Sequence, residues 1–195
     1  MNSKAHFNPK SMKWLISLAV MIVLSAGVIF GSRAIDELAN KKYNEHHEPG
    51  FTIASTEAID IAGYDTASFN ISAVEKALDA SGNVVAYIVT GETVGYNQEE
   101  PIEMATTVSA DGTLVCGVEI IHQNETEYLG VQIQGENFKN QFKGRLLPVV
   151  SSADTAKGST IDVIARSTIS SEAVIDGVNN AVDFLGGANL IEAAE

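Results

Sequence analysis

Four hydroxyls crowd one short stretch near the end of the chain: Ser167, Thr168, Ser170 and Ser171. An apolar, strand-like run (Ile161-Asp162-Val163-Ile164) enters the stretch, and an amphipathic pattern leaves it. A strand–turn–helix junction presents free backbone N–H groups and a partial positive charge at the helix start, so it favours anions such as phosphate. A threonine hydroxyl at that point can hold a phosphate or be esterified by one. The competing reading is that Thr168-x-Ser170-Ser171 is an N-cap cluster and nothing more.

The rest of the chain offers little other chemistry. It has no Walker A loop, no Gly-x-Gly-x-x-Gly, no His-Glu-x-x-His and no Gly-x-Ser-x-Gly. Its single cysteine, Cys116, excludes a cysteine-held iron–sulfur cluster, a cysteine zinc site and an internal disulfide. Cys116 sits in an apolar strand pattern, Leu114 to Val118, and reads as a small buried hydrophobe. The histidines (His6, His46, His47, His122) never fall at ligand spacing, so no metal site is expected. The many carboxylates, including Glu99, Glu100 and Asp154, read as solvated surface. A hydrolase has no nucleophile–base set here.

Charge sorts the chain into two parts. All 25 acids of the 195 residues lie from Asp36 onward against eight basic residues, a net of about −17. Such a surface excludes nucleic acid as a partner. Ahead of it, Trp14 to Ser32 holds no charge, and its 19 residues as a helix span roughly 28 Å, the hydrocarbon thickness of a bilayer. Lys10 and Lys13 precede that run and Trp14 stands at its edge, which predicts a cytoplasmic N-terminus and an outward-facing remainder. Ser32-Arg33-Ala34 resembles a signal cleavage site, but the apolar run is longer than a signal peptide uses. The expected organisation is a cytoplasmic N-terminus at 1–13, a transmembrane helix at 14–32, a polar stalk at 33–50, one domain at 51–187 and a tail at 188–195.

Within the domain, 69–80 reads as an amphipathic helix with Val74, Ala77 and Leu78 on one face. Strands are expected at 84–91, 102–109 and 113–122, with Asp111-Gly112 as a hairpin turn and Gly95-Tyr96 as another. Residues 136–144 predict a short helix ended by Gly144, and 161–164 another strand. A last helix carries Val174, Val178, Ala181, Val182 and Leu185 on one stripe, with Glu172 in its first turn and Gly186-Gly187 as its stop. The fold class is α+β: one transmembrane helix, then a small antiparallel sheet with packed helices.

The stretch Asp162-x-x-Ala165-Arg166-Ser167-Thr168-x-Ser170-Ser171 resembles the flavinylation motif of FMN-binding domains. These occur in the G subunit of Rnf electron-transport complexes and the C subunit of the sodium-pumping NADH:quinone reductase. The family pattern is an aspartate, two residues, then Ser/Thr-Gly-Ala-Thr and x-Thr/Ser-Ser. Asp162, Thr168, Ser170 and Ser171 match, while Ala165, Arg166 and Ser167 stand where the family has Ser/Thr, Gly and Ala. A positive φ at the glycine position would strain Arg166, whose side chain in turn would suit a phosphate. Glu125-Thr126-Glu127-Tyr128-Leu129-Gly130 resembles the family's Glu-Thr-Pro-Gly-Leu-Gly, and Phe138-x-x-Gln141-Phe142-Lys143-Gly144 resembles its Phe-x-x-Gln-Phe-Lys-Gly.

The resemblance implies FMN bound covalently through a phosphoester to Thr168 and attached by a dedicated flavin transferase, since an unaided threonine Oγ is a weak nucleophile. Ser167, Ile169, Ser170, Ser171 and Arg166 would hold the cofactor at the phosphate, with Glu125, Thr126, Leu129 and Gly130 along the isoalloxazine. The implied role is an electron relay among other subunits of a membrane ferredoxin:NAD+ oxidoreductase that moves Na+ or H+, a redox subunit rather than an enzyme alone. Two alternatives remain at this level: a non-redox outer-face subunit with a degenerate flavin site, and an unrelated anchored binding module.

Overall fold

The computed structural model describes residues 45–152, 154 and 157–191. The expected membrane span at 14–32 lies outside them. Among the described residues no helix is long and apolar enough to cross a membrane.

A six-stranded antiparallel sheet forms the body, its strands side by side in chain order. They are β1 (Ser55–Ala58), β2 (Ile71–Leu78), β3 (Val84–Thr93), β4 (Ile102–Ser109), β5 (Leu114–His122) and β6 (Arg145–Leu146). Strict alternation builds the centre. Ile102, Met104, Thr106 and Val108 of β4 all point inward, and Tyr87 and Val89 of β3 do the same beside them. The turn between β4 and β5 uses Gly112 at φ +72°, the left-handed conformation glycine adopts without penalty. Asp111 ties that hairpin shut, accepting from the Ser109 hydroxyl at 2.5 Å and from the Thr113 amide at 3.1 Å.

The expected helix at 69–80 is instead the strand β2. Its buried residues are Ile71, Val74 and Ala77, every third position rather than every second. The register shift between Ile71 and Ala73 slips the inward face by one residue and sets the first interval. From Ala73 to Ala77 the pairing with β3 is unbroken, so Val74 and Ala77 lie on opposite faces of the sheet and Ala77 is buried outside the main core cluster. One bulge and one change of face together give the strand a helix-like pattern.

Two short helices follow β5: a 3-10 helix, Gly130–Gln134, and α1, Glu136–Lys139. Phe138 and Phe142 are buried with ring centroids 5.4 Å apart, edge to face, and seat this segment on the core. Then β7 (Val149–Ser151) and β8 (Ser159–Ile161) pair in parallel as a separate two-stranded sheet. The strand expected at 161–164 is thus shorter and earlier. Gln141 explains the stop: its side chain accepts from Asp162 N at 2.8 Å and donates to Asp162 O at 3.2 Å, taking the chain away from the strand path.

The long helix α2, Thr168–Gly187, packs on β3, β4 and β7. Val174, Val178, Ala181 and Leu185 are buried, as their spacing predicts, and Ile175 and Phe184 widen the stripe. The helix lies close to β4 at Gly177, where a Cβ would sit 2.5 Å from Met104 Sδ. Asn179 clips β7 to the helix, accepting from Val149 N at 3.1 Å and donating to Val149 O at 2.9 Å. Glu172 lies beyond the first turn, which holds no acid, so the helix start keeps its positive end uncompensated. The left-handed residue after the helix is Asn189, at φ +53°, rather than either glycine of the pair.

Candidate functional site

The antiparallel order sends β3 and β5 out at the same end of the sheet. The connection after β3 carries Tyr96, and the one after β5 carries the loop from Glu125 to Gly130. The first turn of α2 meets both.

Glu125 joins the three pieces. It is buried, and its carboxylate accepts from Tyr96 N at 3.2 Å, Asn97 N at 3.1 Å and the Ser170 hydroxyl at 2.5 Å. Each bond to an ionised acceptor is stronger than a neutral one, and three of them satisfy most of its lone pairs. Two glycines make room. A Cβ on Gly95 would collide with Glu125 Oε1, and one on Gly130 would lie 2.7 Å from Glu125 Cβ and 3.1 Å from Ser170 Oγ.

Between these pieces opens a cavity of about 400 Å³, lined by Tyr96, Thr126, Leu129, Gly130, Arg166, Ser167, Thr168, Ile169 and Ser170. Eight of the ten residues picked out from the sequence are on its wall. The other two stand behind it. Glu125 braces the wall as described. Ser171, fully buried, donates to Ser167 O at 2.9 Å and accepts from Ile164 N at 3.0 Å, which fastens the turn to the helix.

Thr168 is the first residue of α2 and is exposed at the mouth. The N–H groups of a first helical turn have no intrahelical partner and face an incoming anion. Ser167 caps the helix with its backbone but makes no side-chain capping bond. Its Oγ is buried and has no hydrogen-bond partner. Arg166 stands beside it at φ +66°, exposed, with neither an ion pair nor a hydrogen bond from its side chain among the described residues.

The left-handed conformation recurs across the cavity, where Tyr128 has φ +63°. Tyr128 and Arg166 are the two positions at which the resembled motifs carry glycine and this chain does not. The backbone keeps the glycine geometry at both, although a bulky residue there costs on the order of 1–3 kcal/mol.

Tyr96 is the one wall residue that enters the sequence pattern only as part of a turn. It is 63% exposed and forms the cavity's aromatic edge. Its place depends on Glu125, 29 residues away, and no local pattern carries that contact.

Comparison with known proteins bears on the same segment. The FMN-binding domain family matches residues 95–183, from the Gly95-Tyr96 turn into α2. This chain therefore carries a domain of the FMN-binding family. It is 36% identical over 110 residues to the G subunit of the ion-translocating oxidoreductase complex of Methanosarcina acetivorans, over 56% of each chain. It is 41% identical over 108 residues to the G subunit of the Na(+)-translocating ferredoxin:NAD(+) oxidoreductase complex of Acetobacterium woodii, over 53% of this chain and 50% of that one. The chain thus spans about half the length of the curated relatives it matches. Among solved structures, the C subunit of the Na(+)-translocating NADH-quinone reductase from Parabacteroides distasonis shares the fold. Its TM-score is 0.51 at 18% identity, over 84% of this chain and 98% of that one.

The residues present suit FMN. The cavity falls within the usual size of cofactor pockets. For a phosphate the lining offers a helix N-terminus and the cationic Arg166. For an aromatic ring it offers Leu129, Ile169 and Tyr96.

Proposed function

We infer that this chain is a membrane-anchored electron-transfer subunit. It carries FMN esterified through its phosphate to Thr168, and relays electrons among other subunits of an Rnf-type ferredoxin:NAD+ oxidoreductase coupled to Na+ or H+ translocation. The observation that carries this reading is the position of Thr168: exposed, first in α2, and on the wall of a cavity of about 400 Å³ whose lining combines hydroxyls with apolar side chains.

FMN, when bound, supplies one- and two-electron redox chemistry, and the protein supplies placement and electrostatics. Thr168 acts as a tether, so the cofactor stays with the chain outside the cytoplasm. The α2 N-terminus would hold the phosphate. Gly130 lets the backbone of the Thr126–Gly130 loop come close, and Ser170, held by Glu125, keeps that loop at a constant distance from the helix. Maturation requires a flavin transferase, because nothing beside Thr168 among the lining residues is a general base. The uncharged run from Trp14 to Ser32 supports an anchor in the plasma or inner membrane, with the flavin domain on the outer side.

The test is a denaturing gel viewed under ultraviolet light. Protein made with a transferase fluoresces after denaturation, and Thr168→Val abolishes the signal. A dark wild-type band would refute the tether, and a bright Thr168→Val band would move it to another hydroxyl. Protease added to spheroplasts digests the domain if it faces outward; full protection would reverse the orientation.

A further inference from the structure

Seven large hydrophobic side chains are exposed among the described residues, and the five with half or more of their surface open share one end of the sheet, the end at which the cavity opens. Val94 and Tyr96 follow β3, Ile121 lies at the end of β5, Tyr128 stands in the loop after β5, and Ile169 is in the first turn of α2. A bound flavin would cover two of them at most, because Tyr96 and Ile169 line the cavity while Val94, Ile121 and Tyr128 do not. A face that gathers exposed apolar side chains in this way marks a contact with another surface. Tyr128 carries the argument furthest. It is 84% exposed, and its backbone sits at φ +63°, so the chain bears strain in order to hold an aromatic ring in solvent. Strain of that kind gathers at functional sites. Exposed carboxylates stand around the patch. Glu92, Glu99 and Glu127 have no ion pair among the described residues, and Glu100 has His122 at 3.9 Å.

We propose that this end of the domain, centred on Tyr128, is a docking surface for a protein partner whose own contact face is an apolar centre ringed by lysine and arginine. The proposal rests on the electron-relay reading and deepens it, by naming the surface chemistry of the subunit that meets this one. Tyr128, Val94 and Ile121 supply the centre, where an aromatic anchor contributes most of the binding energy. The carboxylates supply the rim, where opposite charge speeds encounter and sets orientation. Charge also decides among the occupants. A second copy of this chain would bring the same acidic rim against this one, and an anionic bilayer would be repelled by it, whereas a basic protein is attracted. Docked there, the partner covers the open side of the cavity.

The experiment uses membranes in which the full chain is assembled with the other subunits of its complex. A photo-crosslinking p-benzoylphenylalanine is placed at position 128 or, as a control, at position 56 on the exposed strand β1. Irradiation joins position 128, and not position 56, to another subunit, through a segment that holds apolar residues among lysines or arginines. Raised salt and the paired reversals Glu99→Lys and Glu127→Lys each cut the yield several-fold, because both weaken the attraction at the rim. Tyr128→Gly is no less stable than wild type and is as fluorescent on the denaturing gel, but reduction of its flavin by the rest of the complex slows several-fold. Val94→Ser repeats that defect with the backbone of the loop unchanged. No cross-link from position 128, a cross-link only to lipid or to a second copy of this chain, a yield indifferent to the charge reversals, or a wild-type reduction rate in both variants overturns the surface. A bright gel without the cross-link would leave the flavin reading intact, whereas a dark gel with the cross-link present would overturn the tether and leave the docking surface standing.

Discussion

The Ser170 hydroxyl donates to Glu125 Oε2 across 2.5 Å, and this single bond joins the first turn of α2 to the loop on the opposite wall of the cavity. Glu125 also holds the amides of Tyr96 and Asn97, so one carboxylate sets the distance between three chain segments. Glu125→Gln keeps the shape but turns one oxygen into a donor facing a donor. We expect a loss of roughly 2–4 kcal/mol in stability, from unsatisfied buried groups. Flavin incorporation should fall as well. Thermal unfolding of the unmodified protein measures the first, and a wild-type midpoint in Glu125→Gln would show that Glu125 does not brace the site.

Gly95 and Gly130 press on that carboxylate from two sides. Gly95→Ala and Gly130→Ala should each cost about 1–3 kcal/mol by overpacking. Gly82, with nothing within 4 Å of its Cβ position but φ +83°, is a useful contrast: its alanine variant suffers from conformation alone. Denaturant titration separates these cases, and neutral substitutions at Gly95 and Gly130 would contradict the close approach.

Arg166 and Tyr128 hold left-handed backbone at φ +66° and +63°. Replacing either with glycine removes strain of order 1 kcal/mol, partly offset by the entropy glycine brings to the unfolded chain. Arg166→Gly should therefore be no less stable than wild type while binding FMN more weakly. A variant that is both destabilised and unchanged in flavin binding would assign Arg166 to the scaffold.

Two groups in the β4–β5 hairpin report on pH. Burial raises the Asp111 carboxyl, but hydrogen bonds from Ser109 and Thr113 outweigh it and hold the group below its ordinary 3.8. A depressed folded value means the stabilisation is fully present above the unfolded pKa and is lost as pH falls through the folded one. Wild type should lose more thermal stability than Asp111→Asn as pH drops from about 6 to 2. Parallel acid limbs for the two proteins would show that Asp111 contributes nothing to the pH dependence.

Burial first, and the Asp111 charge second, push the Cys116 thiol up to about 11. Iodoacetamide should label it slowly near pH 8 and much faster towards pH 11. Rapid labelling at pH 8, as for an unperturbed thiol, would show that Cys116 is not shielded as the fold places it.

What is legible in the sequence divides by range of interaction. The bounds of β4 and β5 follow from alternation, and the α2 stripe from its period, because each is a local pattern on a regular element. β2 reads as a helix because its buried residues fall three apart, through one bulge after Ile71 and a change of face between Val74 and Ala77, and β1, with all four residues exposed, has no buried face to announce it. The parallel β7–β8 pair is three residues long on each side, too short for any periodicity. At the site, the hydroxyl cluster and the Glu125–Gly130 loop are visible as motifs, while Tyr96 is not. The role of Gln141 as the clamp on Asp162 likewise spans 21 residues and emerges only in three dimensions.

The central claim is that Thr168 carries the flavin, and trypsin isolates the question. No lysine or arginine lies between Ser167 and Glu195, so cleavage after Arg166 keeps all four hydroxyls of the cluster in one peptide that begins at Ser167. Mass spectrometry of protein matured with a transferase should find that peptide heavier by one FMN less one water, with fragmentation placing the adduct on Thr168. An unshifted peptide, or an adduct on Ser167, Ser170 or Ser171, would contradict the account.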